Sequence, residues 1–446
     1  MLKNVTQLAC VLQVLLTSRA DEVAHAVGLV QRRRVLSGGQ WVQTLVFGWL
    51  QQPRASLEEL ADGAERLQAA LSPQALDRWF CPQGVCCLKE LIAEAVGQVL
   101  QTEAAAVPLL QRFTSVSLED CTTIALPACL ADEYPGCGGN DDDAGGGGQA
   151  ALKIYVRQDV RGGTVTAVSF QPGREPDVKA GQQAAPLPAG SLRLKDLGFF
   201  DTQLLARDRE AGVHWISRLP SSVCVQATAD GPTEGLDAFL RRQTGDALDQ
   251  SVWVGTATPV QGRLVAVRCP EAVRERRLRA LAAKARKKGR PVSDRQRELC
   301  GWTVLLTDLD GDGLGFDELW VLYRVRWQIE LLFKLWKGTG GLDKSQGRRG
   351  DRVLCEVLAK LLGQLVQHWL LLTAGPWLDG RSTPRKVRVL RLYLQELVAA
   401  LGCVEALVEV LQKIAQRLQR LRRRSRRRKK PLTLDLLKEP WRARLN

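Results

Sequence analysis

The sequence predicts a mixed α/β protein with helical regions at both ends. Three observations carry this. Residues 1–113 read as helix throughout, with Ser56 and Glu59 in a capping-box pattern ahead of Leu57, Leu60, Leu67 and Leu71. Between Ser115 and Thr307, short runs alternate apolar and polar residues with Gly-rich punctuation, as strands do. Beyond Arg352 the pattern is helical again.

At 446 residues the chain is too long for one core, and two or three domains are expected. A hydrophobic content of 45% with 25% charged residues describes an ordinary globular protein. The net charge of +15 and pI near 9.5 point to a polyanionic partner, of which nucleic acid is the commonest. Twelve cysteines are scattered, with only Cys81, Cys86 and Cys87 close together, and the histidines are His25, His214 and His368. No zinc-ligand spacing results, so the thiols read as reduced and mostly buried in a cytosolic protein. Gln7 and Gln13 interrupt the N-terminal apolar run, against a secretory signal. The most apolar stretch, Val353 to Leu372, holds Glu356, Lys360, Gln364, Gln367 and His368, so no membrane span is expected.

In chain order, Ser72-Pro73 starts a helix after the one capped by Ser56, and the pair reads either as a helix-turn-helix or as a plain αα-hairpin. Arg32, Arg33 and Arg34 suit phosphate contacts. Ser115 to Asp120 is a strand ending in acid, with Val116 and Leu118 on one face and Glu119 turned away from Asp120. Residues 135–148 form a Gly-rich loop carrying Asp141, Asp142 and Asp143, read as a solvated cluster. Gln149–Val160 and Thr164–Phe170 flank Arg161-Gly162-Gly163 as a hairpin. Ser191–Lys195 is a strand delivering Asp196, and Asp201–Arg209 begins a helix. Ser251–Gly255, Arg263–Cys269 and Trp302–Thr307 are strands around a basic helical stretch, Glu271–Pro291. Asp308, Asp310 and Asp312 fail the calcium-loop pattern, because its twelfth position is Leu319. Arg385 to Leu421 reads as helical, and the Arg/Lys tract from Arg422 to Lys430 attracts phosphate non-specifically.

Tyr323 to Lys337 lacks Gly and Pro and is long enough for four helical turns. With Tyr323 at zero and about 100° per residue, Arg326, Glu330 and Lys337 fall between roughly 300° and 340°. Leu322, Val325, Ile329, Leu332, Phe333 and Trp336 fall between roughly 180° and 280°. An apolar stripe thus adjoins a line of phenol, guanidinium, carboxylate and ammonium.

The spacing Tyr323, Arg326, Glu330, Lys337 resembles the Y-R-E-K motif of DDE transposases of bacterial insertion sequences, in the IS-four group. Asp120-Cys-Thr-Thr is similar to that family's first-Asp segment, and Asp196-Leu-Gly-Phe-Phe to its second. The resemblance implies an RNase-H-like catalytic core over 114–212 and 308–350, interrupted by a β-rich insertion at 213–307. An N-terminal all-α, DNA-binding domain at 1–113 and C-terminal helices with a basic tail at 351–446 complete the expected layout. It further implies that Asp120, Asp196 and Glu330 are catalytic and hold two Mg²⁺ ions, with Mn²⁺ able to substitute. Mg²⁺ prefers hard carboxylate oxygens, which explains a site without His or Cys. Tyr323, Arg326 and Lys337 are implied to contact the DNA backbone, and Trp302 to stack on a flipped base.

The function implied is binding of terminal inverted repeats, cleavage, and transfer of the freed 3′-OH to target DNA by a cut-and-paste route. A hairpin route for the second strand is carried by resemblance alone. The partners are double-stranded DNA and a second copy of the chain, paired through the C-terminal helices. The location is cytoplasmic, at the nucleoid when DNA-bound. Two readings compete: a decayed or co-opted transposase that only binds DNA, and an RNase-H-like nuclease without strand transfer.

Overall fold

A computed structural model of the chain describes residues 2–32, 35–98, 100, 102–104, 106–138, 148–287, 289, 291–423 and 432–440. Arg33, Arg34, Asp141 to Asp143 and most of the Arg422–Lys430 tract lie outside the described residues. The chain is mixed α/β and divides into two compact units. The first comprises residues 1–106, 120–185 and 327–434; the second comprises 107–119, 186–326 and 435–446.

The first unit is built on buried helices. Ser37 caps the helix Gly38–Gln51 by accepting from the Gln40 backbone N–H, while the Gln40 side chain accepts from the Ser37 N–H. Trp41, Val42, Leu45, Val46, Trp49 and Leu50 of this helix are all in the core. A Cβ at Gly38 would lie 2.5 Å from the Ala24 Cβ, so glycine there lets the helix Ser18–Ala26 approach closely. The helix Gly350–Leu372 packs against Gly38–Gln51 and against Pro82–Gly97, and Leu2–Leu16 packs against Val404–Gln419. The N- and C-terminal helical regions therefore pack within one compact unit.

The polar residues that argued against a membrane span in Gly350–Leu372 are buried. Glu356 accepts from Ser345 Oγ at 2.9 Å and pairs with Arg352 at 3.2 Å. His368 Nε2 bonds the Gly163 carbonyl. No helix among the described residues is long and apolar enough to cross a membrane. Ser56 caps Leu57–Glu65 as expected. The next helix, Pro73–Asp77, has only five residues, too short to serve as a recognition helix.

Three strands complete this unit: β1 (Val116–Leu126, from Asp120 onward), β2 (Ala150–Asp159) and β3 (Val165–Pro172), with β2 between the others. β2 and β3 are the expected hairpin, with Ile154 opposite Phe170. Asp159 accepts from the Arg161 and Gly162 N–H groups, and Gly163 has φ +78°. β1 does not end at Asp120. Thr122, Thr123 and Ile124 are β-branched and carry the strand on to Leu126.

The second unit is a sheet with order β1-β4-β5-β10-β9-β8-β6-β7. Its first strand is the start of β1, Val116–Glu119. The others are β4 (Leu192–Lys195), β5 (His214–Ser217), β6 (Cys224–Gln226), β7 (Glu234–Gly235), β8 (Ala247–Val254), β9 (Val260–Arg268) and β10 (Trp302–Thr307). β1, β4 and β5 run parallel, with Leu118 opposite Leu194 and Leu194 opposite Ile216. β10 then pairs antiparallel with β5 and β9. β5, starting at His214, continues the sheet beside β4. Trp215, Val225, Phe239, Val252, Leu264, Trp302 and Leu306 form one core on it. The basic helix, Glu271–Lys287, buries none of its residues.

The helix expected over Tyr323–Lys337 is broken, and the helical stretch Arg385–Leu421 consists of several helices. Tyr323–Lys337 is divided between Phe316–Val325 and Trp327–Gly338, because the Arg326 N–H bonds the Tyr323 carbonyl three residues back and tightens the turn. Arg385–Leu421 is divided into Thr383–Leu390, Leu394–Ala400 and Val404–Gln419, with Gly402 in the last break. The apolar face of Val404–Gln419 (Leu407, Leu411, Ile414, Leu418) is buried in the unit's own core.

Candidate active site

Asp120 sits mid-strand on β1 and is half-buried. Alternation turns its neighbours the other way: Glu119 is 2% exposed and ion-pairs with Arg193 at 2.8 Å. The Asp120 Oδ1 accepts from the Cys121 N–H at 2.8 Å. Glu330 lies in the first turn of Trp327–Gly338. That helix buries Ile329, Leu332, Phe333 and Trp336, the stripe expected from its periodicity. The opposite stripe, Glu330, Lys334 and Lys337, faces a cleft of about 980 Å³ that Asp120, Cys121 and Thr122 also line. The structure therefore brings Asp120 and Glu330 to one cleft.

Lys337 ties the helix to the strand, donating from Nζ to the Thr123 carbonyl at 2.9 Å. Burial lowers its pKa, and the Asp343 charge partly offsets that. Arg54, Lys344, Asp343 and Arg391 complete the charged lining. Lys334 was within reach of sequence reasoning, since it follows Glu330 by one helical turn. Arg54 and Arg391 carried no local signal, because only the tertiary fold brings them here. Burial pushes the Cys121 thiol pKa upward. The donors on offer are hard carboxylate oxygens, a ligand type that Mg²⁺ and Mn²⁺ take. Among the described residues, no group of three or more His, Cys, Asp or Glu side chains is placed to hold a metal ion.

Asp196, in the second unit, immediately follows β4. The Tyr323 hydroxyl donates to its Oδ1 at 3.4 Å and to the Lys195 carbonyl at 3.3 Å. Arg326 Nη1 lies 3.5 Å from Oδ2, and Arg218 Nη1 lies 3.6 Å from Oδ1. Tyr323 and Arg326, expected on DNA, here bracket the second aspartate instead. Burial, reinforced by the Asp196 charge, raises the Tyr323 pKa, so the phenol remains a donor. Arg218 is a neighbour that sequence reasoning did not find. Trp302 is 3% exposed within the core, and the Arg268 guanidinium lies 4.3 Å from its ring centroid. As placed, it offers no face to a base. Asp308 accepts from His214 Nδ1 at 2.9 Å and from the Trp215 N–H, and Asp310 accepts from the Gly313 N–H, so both serve local structure.

The family model described as "Transposase DDE domain" matches residues 120–364. The match starts at Asp120 and takes in Asp196, Tyr323, Arg326, Glu330 and Lys337. The chain belongs to the DDE transposase family. It is 26% identical over 365 residues to the transposase for insertion sequence element IS231F of Bacillus thuringiensis subsp. israelensis, covering 77% of this chain and 75% of that one. It is 25% identical over 365 residues to the IS231B transposase of Bacillus thuringiensis subsp. berliner, covering 77% and 74%. It is 20% identical over 378 residues to the IS1151 transposase of Clostridium perfringens, covering 79% and 78%. This transposase is thus an insertion-sequence enzyme of a family that cleaves DNA and transfers strands with divalent metal.

Proposed function

We propose that this transposase binds the terminal inverted repeats of its own element, cuts them with Mg²⁺ and joins the freed 3′-OH to target DNA by a cut-and-paste route. The observation that carries the reading is the cleft shared by Asp120 and Glu330, walled by Arg54, Lys334, Lys337, Lys344 and Arg391. A carboxylate pair ringed by cations suits a phosphodiester, which needs both metal-binding oxygens and backbone neutralisation. Asp196 joins them as the third acid. Support comes from the sequence: Asp196-Leu-Gly-Phe-Phe is similar to the family's second-Asp segment. The antiparallel β2–β3 hairpin and the parallel β1, β4 and β5 support an RNase-H-like core.

Asp120, Asp196 and Glu330 would hold two Mg²⁺ ions, with Mn²⁺ as a substitute, and the ions supply an activated oxygen nucleophile and stabilise the leaving oxygen. The protein's own residues orient the DNA. Lys337, fixed by Thr123, presents a point charge at the phosphate. Arg326 offsets the Asp196 charge and the Tyr323 hydroxyl donates to it, and on this reading both turn to the phosphate backbone once DNA arrives. Cleavage consumes water and breaks one P–O bond, leaving a 3′-OH. Transfer forms one phosphodiester for each it breaks, so no nucleotide cofactor is needed. The Y-R-E-K spacing places the enzyme in the IS-four group on this reading. Synapsis of two ends requires a homodimer on double-stranded DNA, within the bacterial cytoplasm and at the nucleoid.

The test uses the DNA that borders the gene. Incubation with the protein and Mg²⁺ or Mn²⁺ should yield cuts at an inverted repeat, absent with Glu330→Gln. Binding without cutting under either metal would defeat the proposal in favour of a protein that only binds DNA.

A further inference from the structure

Arg391 lies outside the matched residues 120–364 but lines the same cleft as Asp120 and Glu330. It opens the 3₁₀ turn Arg391–Tyr393 after the helix Thr383–Leu390, which Val387 and Leu390 anchor in the core. One donor is used: Nη2 bonds the Thr339 carbonyl at 2.8 Å, past the C-terminus of the helix that carries Glu330 and Lys337. That bond orients the guanidinium. Its Nε is buried and has no hydrogen-bond partner, and among the described residues no carboxylate pairs with it. The acidic lining residue Asp343 is engaged by Lys344 at 3.6 Å instead. Burial acts against the charged form. Arginine nevertheless stays protonated, so the site holds an uncompensated cation, which costs stability unless an anion arrives. Carbonyl capping alone would not need the charge.

Building on the reading of this cleft as the DNA-cutting site, we propose that Arg391 is a phosphate-binding residue that grips the DNA backbone beside the scissile phosphodiester. The unused Nη1 edge of the guanidinium is the part that meets a non-bridging phosphate oxygen. Arg54, the other cleft cation from outside the matched segment, is exposed and flanks the same strand path. The catalytic domain thus receives part of its DNA grip from the helical regions that share its core.

The test compares wild type, Arg391→Met and Arg391→Lys on a labelled duplex of the DNA bordering the gene, across a KCl series without divalent metal. Melting curves accompany the binding data. Met keeps the length of the stem and removes the charge. The slope of log affinity against log salt should shrink by about one for Arg391→Met, with weaker binding at every salt concentration. Arg391→Lys should restore the slope. The melting temperature of Arg391→Met should hold or rise, because an uncompensated charge has been removed. An unchanged salt slope in Arg391→Met would overturn the assignment. So would a fall in melting temperature with wild-type affinity, which would leave only the cap on Thr339. A wild-type protein that ignores this duplex at every salt concentration would instead strike the underlying reading of the cleft.

Discussion

The acids of this transposase are held in two contrasting ways. Glu119 and Asp208 are structural. Glu119 is 2% exposed and meets Arg193 at 2.8 Å, and Asp208 meets the buried Lys195 at 3.1 Å. Asp196 in the same unit keeps its side chain 30% exposed, and its contacts to Tyr323, Arg326 and Arg218 are all 3.4 Å or longer. In the first unit, Asp120 and Glu330 are likewise half-exposed and open onto a cleft. Short, buried pairs fix a fold, because breaking one strands a charge. Long, partly solvated contacts compensate a charge without committing it, which is what a metal-binding acid needs before its metal and DNA arrive.

The contrast can be broken by substitution. The largest effect is expected at the open acids. Asp120→Ala, Asp196→Ala and Glu330→Ala should each lower the single-turnover cutting rate by at least about a thousandfold, since metal stabilisation is worth several kcal/mol. DNA affinity and melting temperature should hold. Glu119→Ala should do the reverse, lowering stability while the cutting chemistry persists in the folded fraction, as melting curves and active-fraction titration would show.

A second effect concerns the framework of the first unit. Burial depresses the His368 pKa from 6.5 to about 4. The unfolded chain therefore binds the extra proton first, and stability is fully present above pH 6.5 and lost as the pH falls from there towards 4. The loss should be on the order of 3 kcal/mol. His368→Leu should flatten that part of the profile in denaturant titrations.

Smaller effects sharpen the picture. Tyr323→Phe removes one weak donor from Asp196 and should slow cutting roughly five- to tenfold, corresponding to about 1 kcal/mol. Its pH–rate profile should match wild type, because the phenol does not ionise in the working range. Ser56→Ala removes a helix cap, so it should cost about 1 kcal/mol of stability and nothing in cutting.

Local signals were legible in the sequence. The caps at Ser56 and Ser72, the hairpin turn at Gly162-Gly163, the apolar stripe from Ile329 to Trp336 and the strand delivering Asp196 all depend on neighbours in the chain. What escaped was set by distant contacts. Nothing near residue 213 signals that β5 continues the sheet beside β4, or that the helix Leu2–Leu16 packs on Val404–Gln419. The break at Arg326 is invisible to periodicity, because both halves keep the same apolar stripe. Trp302, expected to stack on a base, packs into a core that other strands of the sheet build. Arg391 reaches the cleft only through the fold.

The central proposal is that Asp120 and Asp196 are both required for the metal-dependent cut. The most direct test is single-turnover cutting of the bordering DNA across a Mg²⁺ series by wild type, Asp120→Asn, Asp196→Asn and the double variant. Residues that act as a unit are non-additive, so each single variant should fall to the residual rate of the double. Asp196→Asn cutting near the wild-type rate while Asp120→Asn is dead would contradict the account.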